Sequence, residues 1–313
     1  MTKHITIVIP VYRESKNLSA LYKRLEQVTA GLTSVQWDYI FVDDGSPDDS
    51  MSVLRGLAEK NPKVKVIGFS RNFGKEIALS AGVHAAGRAD AVICLDADLQ
   101  HPPELIPEMV AAWRLGADIV ATIRTSIAKQ PLLRRLGSSL FYGLMNRMSG
   151  VEMVSKTTDF RLYDKKVVEV FRQVTERSRL FRGIMDWMGF KKVYVKFRAG
   201  ARTEGNSSFS YAKLLNLAIQ SLTSFSLFPL RMTGYLGVFI TLSSGLLLAR
   251  MLFARFVSNP LLFTPLAIVV VINTLLIGIV LMSVGMVALY IGTIHTEVVN
   301  RPLYIVRERV NFE

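Results

Sequence analysis

The sequence predicts an α/β protein in which a mostly parallel sheet covered by helices leads into an interface helix and a C-terminal hairpin of two transmembrane helices. Three observations carry this expectation. Strand-like and helix-like stretches alternate before residue 210, successive strands run into polar clusters, and two long stretches near the C-terminus lack charge. Alternation with short connections is the pattern of parallel strands joined by crossover helices.

The elements follow in order. "HITIVIP" opens the sheet, and a helix is expected from Ser15 to about Ala30. "WDYIFV" precedes a helix from Asp49 to Lys60, "KVKVIGF" one from Lys75 to Ala86, and "DAVICLD" one from Pro103 to Leu115. "ADIVAT" is the fifth strand. Near-continuous apolar runs such as Val92 to Leu95 suit strands buried on both faces. The single cysteine, Cys94, falls inside such a run and reads as a small core residue, with no disulfide available within the chain. Met1-Thr2-Lys3-His4 leads directly into the first strand, so no secretory leader is expected.

Residues 1–207 are thus expected to form the sheet domain. Residues 208–231 repeat apolar side chains at helical spacing (Leu214, Leu215, Leu217, Ala218, Leu222, Phe225) and read as an amphipathic helix in a membrane interface, broken by Pro229. Residues 232–249 carry no charge, and neither do residues 256–294. About 20 apolar residues span a bilayer as a helix, so 233–254 and 265–292 are expected to cross it, within a membrane segment 232–294. Residues 295–313 are then a basic tail on the same side as the large domain. The excess of Lys and Arg in both places that side in the cytoplasm.

The formal net charge is +13 over 313 residues. Alone it would suggest nucleic acid, but it does not explain the apolar hairpin. A basic protein tethered to a bilayer is expected to meet anionic lipid and phosphate-bearing substrates instead. No G-x-G-x-x-G fingerprint follows the first strand, which argues against a dehydrogenase.

Four consecutive strands end in polar clusters: "PVYRESKN" at 10–17, "VDDGS" at 42–46, "SRNFGK" at 70–75 and "DADLQ" at 96–100. Open α/β sheets gather their ligands along that edge. Asp96 and Asp98, one residue apart, repel each other unless something positive lies between them. The set reads as a nucleotide-sugar site in which a divalent cation, held by hard oxygens, meets a diphosphate. Asp98 is the direct ligand, Asp96 acts through a water or on the ribose, and Gln100 adds a neutral oxygen. Asp43 is placed to grip ribose or base, and Arg71 and Lys75 bring positive charge to phosphates or sugar hydroxyls. His101 is either a further ligand, a cap before Pro102-Pro103 or a supporting contact.

These motifs, together with "SRNFGKEIALSAG", "LDADLQHPPELIP", "TTDFRLYDKKVVE" and "TSFSLFPLR" before the two apolar stretches, resemble the polyprenyl-phosphate glycosyltransferases of glycosyltransferase family 2. The likeness runs from about residue 4 to residue 309. It points to the bactoprenol glucosyltransferase branch of this dolichol-phosphate mannose synthase-like group. The resemblance implies a GT-A fold and inverting transfer of one hexose, glucose from UDP-glucose, to a polyprenyl (undecaprenyl) phosphate, for cell-envelope or O-antigen glycosylation. Transfer of mannose or aminoarabinose, or a non-catalytic scaffold, are the alternatives. It implies Mg2+ or Mn2+ at Asp96, Asp98 and Gln100, and a nucleotide pocket containing Pro10, Tyr12, Glu14 and Asp43. Asp159 of "DFRL" takes the catalytic position, and Arg202, with Arg198 beside it, meets the acceptor phosphate. Further implications are a multi-pass protein of the inner (plasma) membrane, contact with membrane lipids, a homo-oligomer (a tetramer), and no nucleic-acid partner. One departure stands out: "RTEGNSSF" places Ser208 where the family has Lys.

A lipid phosphate, with a second pKa near about 6, needs little help losing its proton at neutral pH. Asp159 is therefore expected to position the acceptor or sugar, or to stabilise positive charge at the anomeric carbon, rather than serve mainly as a base. The basic residues Lys191, Lys192 and Lys196 and the stretch "RLFRG" at 179–183 either draw in the anionic head group or adhere to lipid generally.

Overall fold

The computed structural model describes residues 2–125, 157–176, 180–197, 265–299 and 301–312, with Tyr235, Phe239 and Leu246. Contacts divide the chain into two compact units, residues 1–208 with 301–313, and residues 209–300.

The first unit is built on a sheet of eight strands in the order β7-β5-β6-β4-β1-β2-β3-β8. Five match the expected strands: β1 Lys3–Val11, β2 Val35–Asp43, β3 Val64–Phe69, β4 Ala91–Cys94 and β5 Ile119–Arg124. Three more were not anticipated: β6 Thr157–Asp164, β7 Lys192–Phe197 and β8 Val306–Val310. The β4-β1-β2-β3 core pairs in parallel, as does β5 with β7, while β6 and β8 run antiparallel to their neighbours.

Helices α1 Ser15–Ala30, α2 Ser50–Lys60 and α3 Lys75–Ala85 follow the first three strands. A 3-10 turn at Pro103–Leu105 leads into α4 Ile106–Arg114, and α5 Lys165–Gln173 and α6 Phe181–Trp187 come after β6. Period-two alternation assigns β1 to two cores. Ile5, Ile7, Ile9 and Val11 join one apolar cluster with Leu18, Leu21 and Leu25 of α1 and with Met109 and Val110 of α4. Val8 points the other way, against α3, where Gly82 lies so close that a Cβ would collide with the Val8 side chain. Apolar burial of this kind is worth about 1.5–3 kcal/mol per large side chain. It explains why the parallel strands read as unbroken apolar runs.

Cys94 is fully buried, and burial raises its thiol pKa well above the ordinary value, as suits an inert core residue. His4 pairs with Asp38 at 3.2 Å, and His84 packs on Phe171 with ring centroids 5.5 Å apart.

In the second unit, α7 Pro265–Val299 is a helix of 35 residues with no charged residue before Glu297. Several of its side chains lie outside the described set. Taken over only the residues whose side chains are described, no helix is long and apolar enough to cross a membrane. The interface helix 208–231 and the first span 233–254 lie almost entirely outside the described residues. The segment expected to be a simple tail instead re-enters the first unit, where β8 covers the free edge of β3.

Candidate active site

The site forms where the sheet's parallel strands end. Because β6 is antiparallel, its beginning lies beside the end of β4. Cys94 is opposite Arg161 in that ladder, so continuing the register two residues sets Asp96 opposite Asp159. Residues 63 apart in sequence thereby become cross-strand neighbours.

Lys75 stands between them. Its Nζ is 2.7 Å from Asp96 Oδ1 and 2.7 Å from Asp159 Oδ2. The contact with Asp159 is a hydrogen bond. That with Asp96 Oδ1 is an ion pair of the same length. A lysine as the first residue of a helix works against the helix dipole, and the two carboxylates offset this. Burial would lower the Lys75 pKa, but Asp96 and Asp159 outweigh it and hold the ammonium firmly charged. Burial likewise would raise Asp159, yet Lys75, Arg182 and Arg161 hold it well below the usual carboxylate range. Asp159 is a weak proton acceptor in this setting.

Its other neighbours follow from β6 and α6. Arg182 lies 3.8 Å from Asp159 Oδ1 and donates to the Thr157 carbonyl at 3.2 Å. Arg161, 1% exposed, does not pair with Asp159. It donates to Asp186 at 2.9 Å and to the Thr158 carbonyl at 3.0 Å, tying β6 to α6. Asp164 caps α5 by accepting from the Lys166 amide at 3.0 Å. Glu76, next to Lys75, accepts from the Phe181 amide at 2.7 Å. Burial, with Asp159 nearby, raises its carboxyl to about 7.

After β4 the chain doubles back. Leu99 adopts φ 60°, and Asp98 Oδ1 accepts from the Gln100 amide at 3.1 Å. An Asx turn with a left-handed residue is a compact reversal, and it returns His101 to the acids. His101 is 4% exposed, with Nδ1 3.7 Å from Asp96 Oδ2 and no hydrogen-bond partner. Burial depresses its pKa, favouring the neutral ring with a lone pair available. Asp96, Asp98 and His101 offer ligand atoms all within 4.8 Å of one another. Two hard oxygens and an orphaned imidazole nitrogen suit a divalent cation. The side-chain oxygen of Gln100, expected as a ligand, accepts from Arg124 at 3.2 Å.

Beside these acids, two loops are zipped together. Arg13, Glu14 and Ser15 amides donate to Ser46 Oγ at 3.1 Å, Ser50 Oγ at 3.1 Å and Asp48 Oδ2 at 3.3 Å. Pro10, Val11, Tyr12, Glu14, Asp44, Lys75, Asp96, Ala97 and Asp98 line one cleft of about 190 Å³. Tyr12 is 40% exposed, with the Arg13 guanidinium over its ring at 5.3 Å.

Asp44, rather than the expected Asp43, lines that cleft. Asp43 is buried and accepts from the Ser46 amide at 3.2 Å. Asp44 accepts from Phe73 N at 2.6 Å and Gly74 N at 2.9 Å, fixing the loop that carries Lys75. Gly45 has φ +64°, and a Cβ there would strike the Arg71 backbone, so this crossing requires glycine. Arg71 donates to its neighbour's carbonyl at 3.1 Å and lies over the Phe73 ring at 4.1 Å. Arg198, Arg202 and Ser208 lie outside the described residues.

Residues 6–171 match the glycosyl transferase family 2 domain. An "uncharacterized glycosyltransferase" of Synechocystis sp. is 39% identical, covering 98% of this chain and 96% of that one. A "bactoprenol glucosyl transferase" of Shigella phage SfII is 38% identical, covering 97% of each. Among solved structures, mannosyl-3-phosphoglycerate synthase from Rubrobacter xylanophilus superposes with a TM-score of 0.51 over 74% of this chain and 75% of that one. At 14% identity that likeness speaks to the fold alone. The GT-A-like α/β fold with a mostly parallel sheet is borne out, and with it the resemblance: this chain belongs to glycosyl transferase family 2.

Proposed function

We propose that the protein transfers one hexose, glucose from UDP-glucose, to a polyprenyl phosphate of the bactoprenol type at the cytoplasmic face of a membrane. The observation that carries the reading is the juxtaposition of Asp96, Asp98 and the Lys75–Asp159 pair at one sheet edge. The full-length likeness to bactoprenol glucosyl transferases supports the acceptor class.

Asp96 and Asp98, with His101 beside them, would hold Mg2+ or Mn2+. The chemistry such an ion supplies is neutralisation of charge on the departing diphosphate. Tyr12 and Glu14 border the nucleotide and Asp44 shapes the floor beneath it. An acceptor phosphate oxygen forms the new bond to the anomeric carbon as the bond to UDP breaks, from opposite sides, with inversion. At neutral pH that oxygen has no proton to lose. Asp159, ionised and tethered by Lys75, orients the reacting partners and offsets positive charge at the anomeric carbon. Arg182 adds a cation on the far side of Asp159, where an anionic acceptor would be drawn. Arg198 and Arg202 belong to the same proposed acceptor region.

Membrane residence is part of this reading. Both ends of segment 209–300 join one folded unit, so any passages it makes through a bilayer must be even in number. A hairpin of 233–254 and 265–292 satisfies that condition, with 208–231 in the interface. Holding the domain at the surface raises the effective concentration of a lipid head group. Assembly as a tetramer through these helices completes the proposal.

The test is a radiolabelled transfer assay with one polyprenyl phosphate, a panel of nucleotide sugars, and parallel reactions containing chelator. Chelator-sensitive labelling of the lipid from UDP-glucose is expected. Preference for a mannose or aminoarabinose donor would reassign the sugar, and no transfer from any donor would refute the enzymatic reading.

A further inference from the structure

β8 lies at the edge of the sheet, yet it is joined to the loop that leads to Lys75. β8 pairs with β3 from Val66–Val310 to Phe69–Val306, with an irregularity between Gly68 and Phe69. Pairing continues one step beyond the ladder, where the Ser70 amide donates to the Ile305 carbonyl at 3.0 Å. Ser70 begins the β3–α3 loop, whose other members include Arg71, Phe73 and Gly74 before Lys75 opens α3.

An aromatic series runs the same way. Tyr304 stacks on Phe69 with centroids 4.9 Å apart and rings 20° from parallel. Phe69 meets Phe73 edge-on at 5.7 Å and 88°. Both are favourable aromatic geometries. Phe73 is the residue whose amide donates to Asp44 at 2.6 Å, and its ring lies under Arg71 at 4.1 Å. Tyr304 is therefore two ring contacts from a carboxylate that lines the cleft, and the loop it braces sets where Lys75 reaches Asp96 and Asp159.

The far end of the strand is fastened independently. Asn311 donates to the Ala58 and Val64 carbonyls at 2.9 and 2.8 Å, and Arg55 donates to Glu308 at 3.0 Å. These contacts hold β8 on the sheet without involving the loop, so stability and loop position can be perturbed separately.

We propose that residues 301–312 form a strap that positions the β3–α3 loop for the nucleotide-sugar donor, with Tyr304 as its positioning residue. The inference rests on the proposed donor site above. It also gives the C-terminal segment a function in the reaction: the chain that leaves α7 returns to brace the donor pocket.

Full-length protein in detergent, carrying Tyr304→Ala, Tyr304→Phe or Arg55→Met, tests this by steady-state kinetics and by calorimetric titration with UDP in Mn2+. Tyr304→Ala is expected to raise donor KM and the UDP Kd by about three- to tenfold, with kcat and acceptor KM close to wild type. Tyr304→Phe keeps the stacked ring and should restore both values, and Arg55→Met should leave both unchanged. Should Tyr304→Ala fail to fold by circular dichroism, Tyr304→Leu, which keeps apolar bulk without a ring, takes its place under the same criteria. Unchanged donor KM, or equal rises in donor and acceptor KM, would overturn the strap. Wild-type protein that binds no UDP would instead refute the donor-site reading beneath it.

Discussion

Two pairs of carboxylates flank β1 at the same edge of the sheet, Asp43–Asp44 after β2 and Asp96 and Asp98 after β4, and their surroundings differ in where the backbone amides point. Asp43 and Asp44 take amides from Ser46, Phe73 and Gly74. Asp98 takes one, from Gln100, and Asp96 takes none among the described residues. The first pair is largely satisfied by the protein and builds loops. The second meets Lys75 and an orphaned His101 nitrogen, so its negative charge remains directed at a ligand. Equal residue types one strand apart thus acquire different tasks through hydrogen-bond accounting.

That contrast breaks most sharply under substitution. Asp98→Asn and Asp96→Asn should each lower kcat by about 10²- to 10⁴-fold, the range for several kcal/mol of lost leaving-group stabilisation. Thermal unfolding without metal should show Asp98→Asn as stable as wild type or slightly more so, since a repelling charge has gone, whereas Asp96→Asn also loses its ion pair with Lys75 and should be less stable. A loss of stability in Asp98→Asn would mean that this carboxylate also builds structure.

Asp159→Asn should cost about 10²-fold in kcat, equally from pH 6 to pH 9. A positioning carboxylate held ionised by Lys75 and Arg182 has no titration in that window. Activity that recovers with rising pH would identify Asp159 as a base.

Asp44→Asn should destabilise the fold by about 1–3 kcal/mol, the cost of weakening buried hydrogen bonds to a charged acceptor, and raise donor KM with little change in kcat. Equilibrium denaturation combined with kinetics separates it from Asp98→Asn, for which the two readouts reverse.

The smallest effect concerns Glu76, which lies beside Lys75 and is half-buried, with no ion pair among the described residues. Its carboxyl titrates at about 7 in the fold against a reference value of 4.5. A raised folded pKa means that its stabilising contribution is complete below about pH 4.5 and is lost as pH rises through 7. Glu76→Gln, which can still accept from the Phe181 amide, should therefore flatten the stability–pH curve. It should exceed wild type by on the order of 1 kcal/mol at pH 8, allowing for partial solvent access. Parallel curves would place the Glu76 titration elsewhere.

What the sequence made legible follows the range of the interactions. The first five strands and the helices between them were readable because both faces of the sheet are covered and the apolar runs are local. β6 was hidden because "TTDFRLYD" mixes charge into a buried strand, where Arg161 is satisfied by Asp186 and by the Thr157 and Thr158 oxygens. β8 was hidden because "VRERV" is short, charged and paired to a strand about 240 residues earlier in the chain. Asp96, Asp98, Lys75 and Asp159 could each be named from motifs. The Lys75 bridge between two acids could not, since it depends on antiparallel register. His101 could also be named as a possible ligand, but its return to the acids depends on the left-handed turn at Leu99, which no local pattern announces.

The claim that the β4 acids direct a divalent cation onto a diphosphate is tested most directly by calorimetric titration of the full-length protein with UDP, with and without Mn2+. The expected result is UDP binding that tightens markedly with Mn2+ in wild type and loses that dependence in Asp98→Asn, while Asp44→Asn retains it. Equal affinity for UDP with and without the metal in wild-type protein would contradict the claim.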